Sequence, residues 1–520
     1  MHPGAIAEQR PDHPAVILGD EMRSYAELDR ASRRLAVAAR EEGLGRSDVL
    51  AILAPNGPAF MAAVWAAQRS GLYALPVGTR LTAREVAYVL ADSGTPLLFT
   101  TAEYERLARQ ALDSLPADTR RPVLRVLAGS GADAAPALWD GGDDPRDPDP
   151  VEGGDMLYTS GTTGRPKGVK RPLVHARLGS DVARAERLQE LFHMEAGTVF
   201  LSPAPLYHAA PLRFALALHR LGGTLVLMPR FDAASALELI DEAGVTHSQW
   251  VPTMFSRLLA LPEETRACYQ GKHHRVAIHA GAPCPVAVKR AMIAWWGPIL
   301  QEYYSGTESV GFTHITSEEW LDRPGSVGRP WRCEVHILDE AGEELPPREV
   351  GTVYFSGRGG PAYHNAPGKT AEATDHRGRA TMGDLGYVDA DGYLYLTDRK
   401  AFTIISGGVN IYPREVEDAL RGHPAVQEVA VFGAPDEDFG EAVTAVVEVN
   451  CGAEPDARLA RDIYADAALR LARFKLPRLL AFQHRLPLTG SGKLDKARLR
   501  REWRETSAVV YTHEELKEET

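Results

Sequence analysis

Apolar residues come in short bursts along the first third of the chain, and each burst is followed by helical spacing. Val49 to Leu53 is a continuous apolar run that ends at the turn Pro55-Asn56-Gly57. Pro58 to Arg69 has a helical pattern, and Tyr73 to Pro76 is extended again. Thr82-Ala83-Arg84-Glu85 forms a capping box that opens a helix to Ala91, and Pro96 to Thr100 predicts the next strand. This repeated alternation predicts a layered α/β domain.

Gly129 to Gly154 is rich in Gly, Ala, Asp and Pro and predicts a surface loop or a subdomain connection. Beyond it, Val199 to Ser202, Thr224 to Met228 and Arg275 to His279 predict buried strands, and Asp232 predicts a cap for a helix from Ala233 to Ala243. Near Asp398 the pattern becomes compact α+β. Pro413 suits a first helical turn, with the helix ending at Arg421 before Gly422 and Pro424. Val426 to Phe432 and Val443 to Val449 predict strands, and Arg458 to Leu471 a helix. The expected organisation is a large domain over 1–398, a connection at 399–401 and a small α+β domain over 402–520.

Composition narrows the function classes. At 520 residues, 44% apolar and 25% charged, the chain is ordinary globular protein. A net charge of -12 with no basic stripe argues against nucleic acid or an anionic membrane as the main partner. Cys268, Cys284, Cys333 and Cys451 have no C-x-x-C spacing, so neither a disulfide framework nor a structural zinc site is expected. The longest apolar run, Ala59 to Ala67, is too short to span a bilayer, and the polar first residues have no apolar leader. A cytoplasmic location is the expectation.

The most informative stretch is Tyr158-Thr159-Ser160-Gly161-Thr162-Thr163-Gly164-Arg165-Pro166-Lys167-Gly168. Glycines let backbone N–H groups approach a phosphate, hydroxyls can bond phosphate oxygens or magnesium, and Lys167 adds positive charge. The plain alternative is a polar surface loop. Met156-Leu157 before it and Val169 after it predict a strand-loop-strand context. It is not a Walker A loop, because no Gly-Lys-Ser/Thr string follows at the required spacing, and Gly490-Ser491-Gly492-Lys493 continues into Leu494.

With further motifs along the chain, the sequence resembles the acyl-adenylate-forming family, which includes acyl-CoA synthetases, adenylation domains of peptide synthetases and beetle luciferases. Tyr303-Tyr304-Ser305-Gly306-Thr307-Glu308 is similar to the family's aromatic-x-x-Thr-Glu motif. The resemblance implies Tyr304 stacked on adenine, Thr307 at the α-phosphate, and Glu308 with Thr159 as magnesium ligands. Gly281-Ala282-Pro283 resembles the segment along the adenine. Met382-Gly383-Asp384-Leu385-Gly386 resembles the Thr-Gly-Asp motif, which implies Asp384 at the ribose, joined by Arg399 of Asp398-Arg399-Lys400. Ser406-Gly407-Gly408-Val409-Asn410-Ile411-Tyr412-Pro413 resembles the glycine loop that lines a pantetheine tunnel, with Gly407 and Gly408 as its wall. Leu486 to Lys493 resembles the loop carrying the lysine of adenylation, Lys493. Pro205-Leu206-Tyr207-His208 resembles a segment beside the acyl pocket, with Tyr207 and His208 near the substrate and Trp250 as an apolar wall. Taken singly, each has a plainer alternative: a turn Asp, a glycine turn, a surface lysine, a core Trp.

The resemblance implies an α/β fold with a mobile C-terminal domain, a homodimer among its assemblies, and a two-step reaction. ATP, Mg2+ and a carboxylic acid give an acyl-adenylate and pyrophosphate; coenzyme A then takes the acyl group. It implies that rotation of the C-terminal domain withdraws Lys493 and brings Gly407 and Gly408 to the site. Charge neutralisation and positioning would drive the first step, so no side-chain nucleophile is needed. No Asp lies between Leu201 and Phe214 to pair an α-amine, which favours an acid without one. Fatty, aryl and polycyclic acids all meet that description. Rival readings are a ligase loading an acyl carrier protein, an enzyme with one half-reaction, and a non-catalytic nucleotide-binding protein. Arg473, Lys475 and Arg478 could form a patch for the CoA nucleotide or a solvated helix end. Four departures from the family pattern stand out: Phe402 for Asp, Leu488 for Arg, Arg379 for an aromatic, and Met382 for Thr.

Overall fold

The computed structural model describes the chain except residues 128–134, 136, 140–144, 147–149, 160–165, 400–401, 403, 407–408, 437–438, 489–493, 508 and 518–520; at 398–399, 405, 409–410 and 517 it describes the backbone only. The chain forms two compact units. Among the described residues, one holds those up to Pro324 together with Gly360–Thr374, and the other holds Gly325–Gly359 and those from Asp375 onward. The sequence boundary at 398 therefore does not coincide with this division.

The first unit contains two largely parallel sheets. One runs in the order Val123–Leu127, Leu97–Thr101, Val49–Leu53, Tyr73–Pro76, Gly154–Thr159, Lys167–Lys170, with only the last pair antiparallel. Its central strands are buried on both faces, which explains the unbroken apolar run at Val49–Leu53. The other runs in this unit as Glu21–Ser24, Pro14–Leu18, Thr224–Leu227, Val199–Ser202, His247–Trp250, Val276–His279, Leu300–Tyr304, Thr313–Ile315. Its inner pairings are parallel and its two end pairings antiparallel. The capping box is present: Thr82 accepts from the Glu85 backbone, and Glu85 accepts from the Thr82 backbone. Asp232 caps Ala233–Glu242 by accepting from Ser235 N at 2.9 Å.

In the second unit an antiparallel sheet orders Glu334–Leu338, Gly351–Ser356, Ala380–Val388, Leu394–Arg399 and Ser326–Pro330. The α+β part follows. Val426–Asp436 and Gly440–Val449 form a hairpin longer than the sequence pattern predicts, because its tip continues through Pro435 and Asp436, which lack apolar character. Pro413 opens Pro413–Arg421, which buries Val416 and Leu420 against the hairpin's Val429 and Val431. Ala457–Ala468 is capped by Asp456 and ends at Leu469, sooner than expected. Among the described residues no helix is long and apolar enough to cross a membrane.

Candidate active site

Four neighbouring parallel strands of the first unit end on one edge of their sheet: Val199–Ser202, His247–Trp250, Val276–His279 and Leu300–Tyr304. Three of the predicted segments follow these ends, where open α/β sheets commonly bind ligands. Tyr207 and His208 follow the first, with ring centroids 4.5 Å apart, and His208 immediately precedes the helix Ala209–Leu221. Gly281-Ala282-Pro283 follows the third, and Gly281 has φ +86°, a conformation that suits glycine. Thr307 and Glu308 follow the fourth. Strand alternation separates the two tyrosines. Tyr303 is buried and stacks on Phe312 with centroids 5.0 Å apart, whereas Tyr304 points to the half-exposed face.

The turn carrying Thr307 and Glu308 is held from below by arginines that sequence reasoning missed. Arg171 donates to the carbonyls of Glu308 and Ser309 at 2.8 and 3.0 Å. Arg213 donates to the Thr307 carbonyl and to Ser309 Oγ, each at 2.9 Å. Ser309 itself sits at φ +54°, so the turn is in a conformation its residue does not favour. Asp155, on Gly154–Thr159, pairs with Arg213 at 2.7 Å and with Arg184 at 2.8 Å. Burial pushes this carboxyl up, but Arg213 and Arg184 outweigh burial and hold it well below the usual carboxylate range. No local motif announces these contacts, because Arg213 and Asp155 lie 58 residues apart and Arg171 and Glu308 137 apart.

The predicted strand-loop-strand is a hairpin, Gly154–Thr159 with Lys167–Lys170, and it pairs Thr159 with Lys167. Ser160, Gly161, Thr162, Thr163 and Gly164 lie outside the described residues. Tyr158 donates to Asp92 at 2.6 Å. The Lys167 ammonium lies 5.5 Å from the Tyr363 ring centroid. Burial lowers the Lys167 pKa, the neighbouring Lys369 lowers it further, and Glu308 and Glu372 oppose them. The Tyr363 hydroxyl donates to Glu308 Oε1 at 2.9 Å. Lys167, Thr307 and Glu308 thus belong to one neighbourhood, with Tyr363 at its centre.

In the second unit Asp384 and Arg399 are directly opposite on adjacent strands. Asp384 is buried, and Gly383 before it has φ +79°. The Arg399 side chain, Gly407, Gly408 and Lys493 lie outside the described residues. Arg379 has a structural reason to replace an aromatic: it is buried and bonds Asp375 at 2.6 Å and Glu344 at 3.2 Å.

One expectation needs correction, and one open alternative narrows. Trp250 is 1% exposed, its indole N–H donates to Ser248 at 2.6 Å, and it packs against Phe231, Phe255 and Trp296. It is core behind the site, not an open acyl wall, because its strand is covered on both faces. Lys475 is paired with Glu415 at 2.6 Å, and Arg478 lies over Phe439 at 4.0 Å, so two of the three cations of the suggested nucleotide patch are already engaged.

Residues 5–361 match the family described as AMP-binding enzyme. The chain belongs to that family. Residues 415–493 match the AMP-binding enzyme C-terminal domain. A feruloyl-CoA synthase from Amycolatopsis is 35% identical over 503 residues, covering 95% of this chain and 97% of that protein. A fatty acid–acyl-carrier-protein ligase from Streptomyces coeruleorubidus is 33% identical, covering 97% and 96%. Among solved structures, o-succinylbenzoate CoA synthetase from Bacillus subtilis, in complex with the acyl-adenylate intermediate, aligns with a TM-score of 0.78 at 28% identity, covering 96% and 97%. This AMP-binding enzyme has an α/β fold with a smaller C-terminal part, as the motifs imply.

The donor chemistry of this AMP-binding enzyme fits magnesium. Among the described residues no three His, Cys, Asp or Glu side chains cluster as a metal cage. One carboxylate, Glu308, and the Thr159 hydroxyl are hard oxygen donors. Mg2+ is commonly held by one or two carboxylates with substrate phosphates supplying the rest.

Proposed function

We propose that this chain is an ATP-dependent, AMP-forming acid–CoA ligase that uses the site residues named above. A carboxylate oxygen of the substrate attacks the α-phosphorus of ATP; the bond to the β-phosphate oxygen breaks, and pyrophosphate leaves. The CoA sulfur then attacks the acyl carbon, its proton is lost, and AMP departs. The observation that carries this reading is the junction of Glu308, Tyr363 and Lys167 at the edge where the parallel strands end. Magnesium held by Glu308 and Thr159 would neutralise charge on the phosphates. Lys167 adds a cation beside the loop 160–165, the Gly281–Pro283 backbone runs along adenine, and Tyr304 stacks on it. Thr307 meets the α-phosphate, and Tyr207 with His208 borders the acid. Asp384 and Arg399 hold the ribose; in the C-terminal domain Lys493 serves adenylation, and Gly407 with Gly408 borders pantetheine. The proposed working division remains 1–398 and 402–520, about a hinge at 399–401.

The test combines purified protein, ATP, Mg2+ and CoA with pools of hydroxycinnamic, fatty, polycyclic and short dicarboxylic acids, read by mass spectrometry with AMP release in parallel. The expected result is one acyl-CoA class formed with stoichiometric AMP. Acyl transfer only to a carrier protein's pantetheine would shift the reading to the activity named for the Streptomyces relative. AMP release from no acid would overturn ligation altogether.

A further inference from the structure

The stretch Gly360–Thr374 packs in the first unit, although its neighbours in sequence on both sides belong to the second. It lies along the free edge of the phosphate hairpin. Lys170 N donates to the Ala362 carbonyl at 2.9 Å, His364 N donates to the Gly168 carbonyl at 2.7 Å, and Val169 and Tyr363 form an antiparallel bridge between them. The far side is anchored on Asp92, whose carbonyl is bonded by the His364 ring at 2.9 Å and by Asn365 Nδ2 at 3.0 Å. Tyr363 is fixed further, because its backbone N–H donates to Thr370 Oγ1 at 3.2 Å. An edge strand needs a cover, and a short pairing segment of any composition would supply one. The Tyr363 side chain does more than cover. Its ring lies beside the Lys167 ammonium, and its hydroxyl reaches the Glu308 carboxylate at 2.9 Å. Among the described residues no other side chain hydrogen-bonds that carboxylate.

We infer that Tyr363 is a positioning residue that fixes the Glu308 carboxylate for the metal–nucleotide complex and ties its orientation to the phosphate hairpin. This deepens the reading of Glu308 as a magnesium ligand and rests on it. A hydrogen bond to one carboxylate oxygen restrains rotation of the group. The other oxygen is then presented in one direction. The Glu308 main chain is already fixed by Arg171, so Tyr363 sets the remaining side-chain freedom.

The test is Tyr363→Phe, which keeps the ring, its contact with Lys167 and the backbone bridge, and deletes only the hydroxyl. Binding of ATP to the full chain is measured by calorimetry with Mn2+ present and with metal chelated, and bound Mn2+ is followed by its electron paramagnetic resonance signal. Loss of a charge-assisted hydrogen bond is expected to weaken Mn2+·ATP binding about tenfold, with metal-free ATP binding nearly unchanged. The unfolding midpoint is expected to stay close to wild type. Equal weakening with and without metal, or no weakening, would overturn the inference and leave Tyr363 as an edge cover. Glu308→Gln is measured alongside. If Glu308→Gln abolishes the metal-dependent gain while Tyr363→Phe retains it, only the role of Tyr363 fails. If Glu308→Gln retains the gain, the magnesium reading of Glu308 fails, and the Tyr363 inference falls with it.

Discussion

Replacing Lys493 with alanine is expected to slow adenylation by at least about a hundredfold, the usual effect of removing one preorganised charge-stabilising donor. Thiolation of a supplied acyl-adenylate should be largely spared. The two half-reactions make different electrostatic demands. Carboxylate attack on the α-phosphorus brings an anion against a polyanion and releases a third, so a fixed cation is worth most there. Thiol attack on the adenylate breaks a mixed anhydride that is already activated, and AMP departs as a single anion in place of a polyphosphate. A lysine that serves the first demand contributes little to the second. The check is pyrophosphate release from acid and ATP, set against acyl-CoA formation from synthetic acyl-adenylate. Equal loss in both assays would remove Lys493 from its proposed role and point instead to damage to the C-terminal part as a whole.

How much of this was legible beforehand depended on distance along the chain. Signals that act within one turn or one strand read correctly: the Thr82–Glu85 box, the Asp232 cap, Pro413 at its helix start, and the strands that end beside the motifs. In the Tyr303–Tyr304 pair the strand's two-residue period puts one ring in the core and the other on the half-exposed face. What did not read were contacts made by folding. Tyr363 and Glu308 are 55 residues apart, and nothing near Tyr363 marks it as a partner of a magnesium ligand. Arg171 follows the phosphate loop and looks like one more cation of that loop, yet it bonds carbonyls of another motif. Trp250 misled for the opposite reason: an aromatic before Pro252 suits a pocket wall, but its strand lies mid-sheet, and burial there is decided by neighbours on both sides. The expected boundary at 398 followed a change in residue pattern. Compactness instead divides the chain where the antiparallel sheet begins, at Gly325, and returns Gly360–Thr374 to the first unit.

That returning segment covers the hairpin at its edge, while Asp155 secures the same hairpin to the sheet that bears Glu308. Asp155→Ala is accordingly expected to have the largest effect on stability of any single change at the site. Removing one partner of a buried ion pair costs about 3–5 kcal/mol, because it leaves an uncompensated buried charge. Asp155 is 7% exposed and balances two guanidiniums, those of Arg213 and Arg184. Alanine would leave both unbalanced and free Arg213 to shift from Thr307 and Ser309, so weaker ATP binding should accompany the loss of stability. Asp155→Asn preserves the shape and isolates the charge. The folded-state pKa of Asp155 lies below its ordinary value of 3.8, so near neutral pH the unfolded chain gains no proton advantage and the full stabilisation is present. As pH falls below that value, the unfolded carboxyl takes up a proton while the folded one resists, and the stabilisation fades. The stability gap between wild type and Asp155→Asn, measured by denaturant titration, should therefore be constant near neutral pH and narrow below about pH 4. A gap that stays constant or widens on acidification would show that Asp155 stabilises the hairpin by shape alone, and that its pairing with Arg213 and Arg184 is not what holds the Glu308 turn in place.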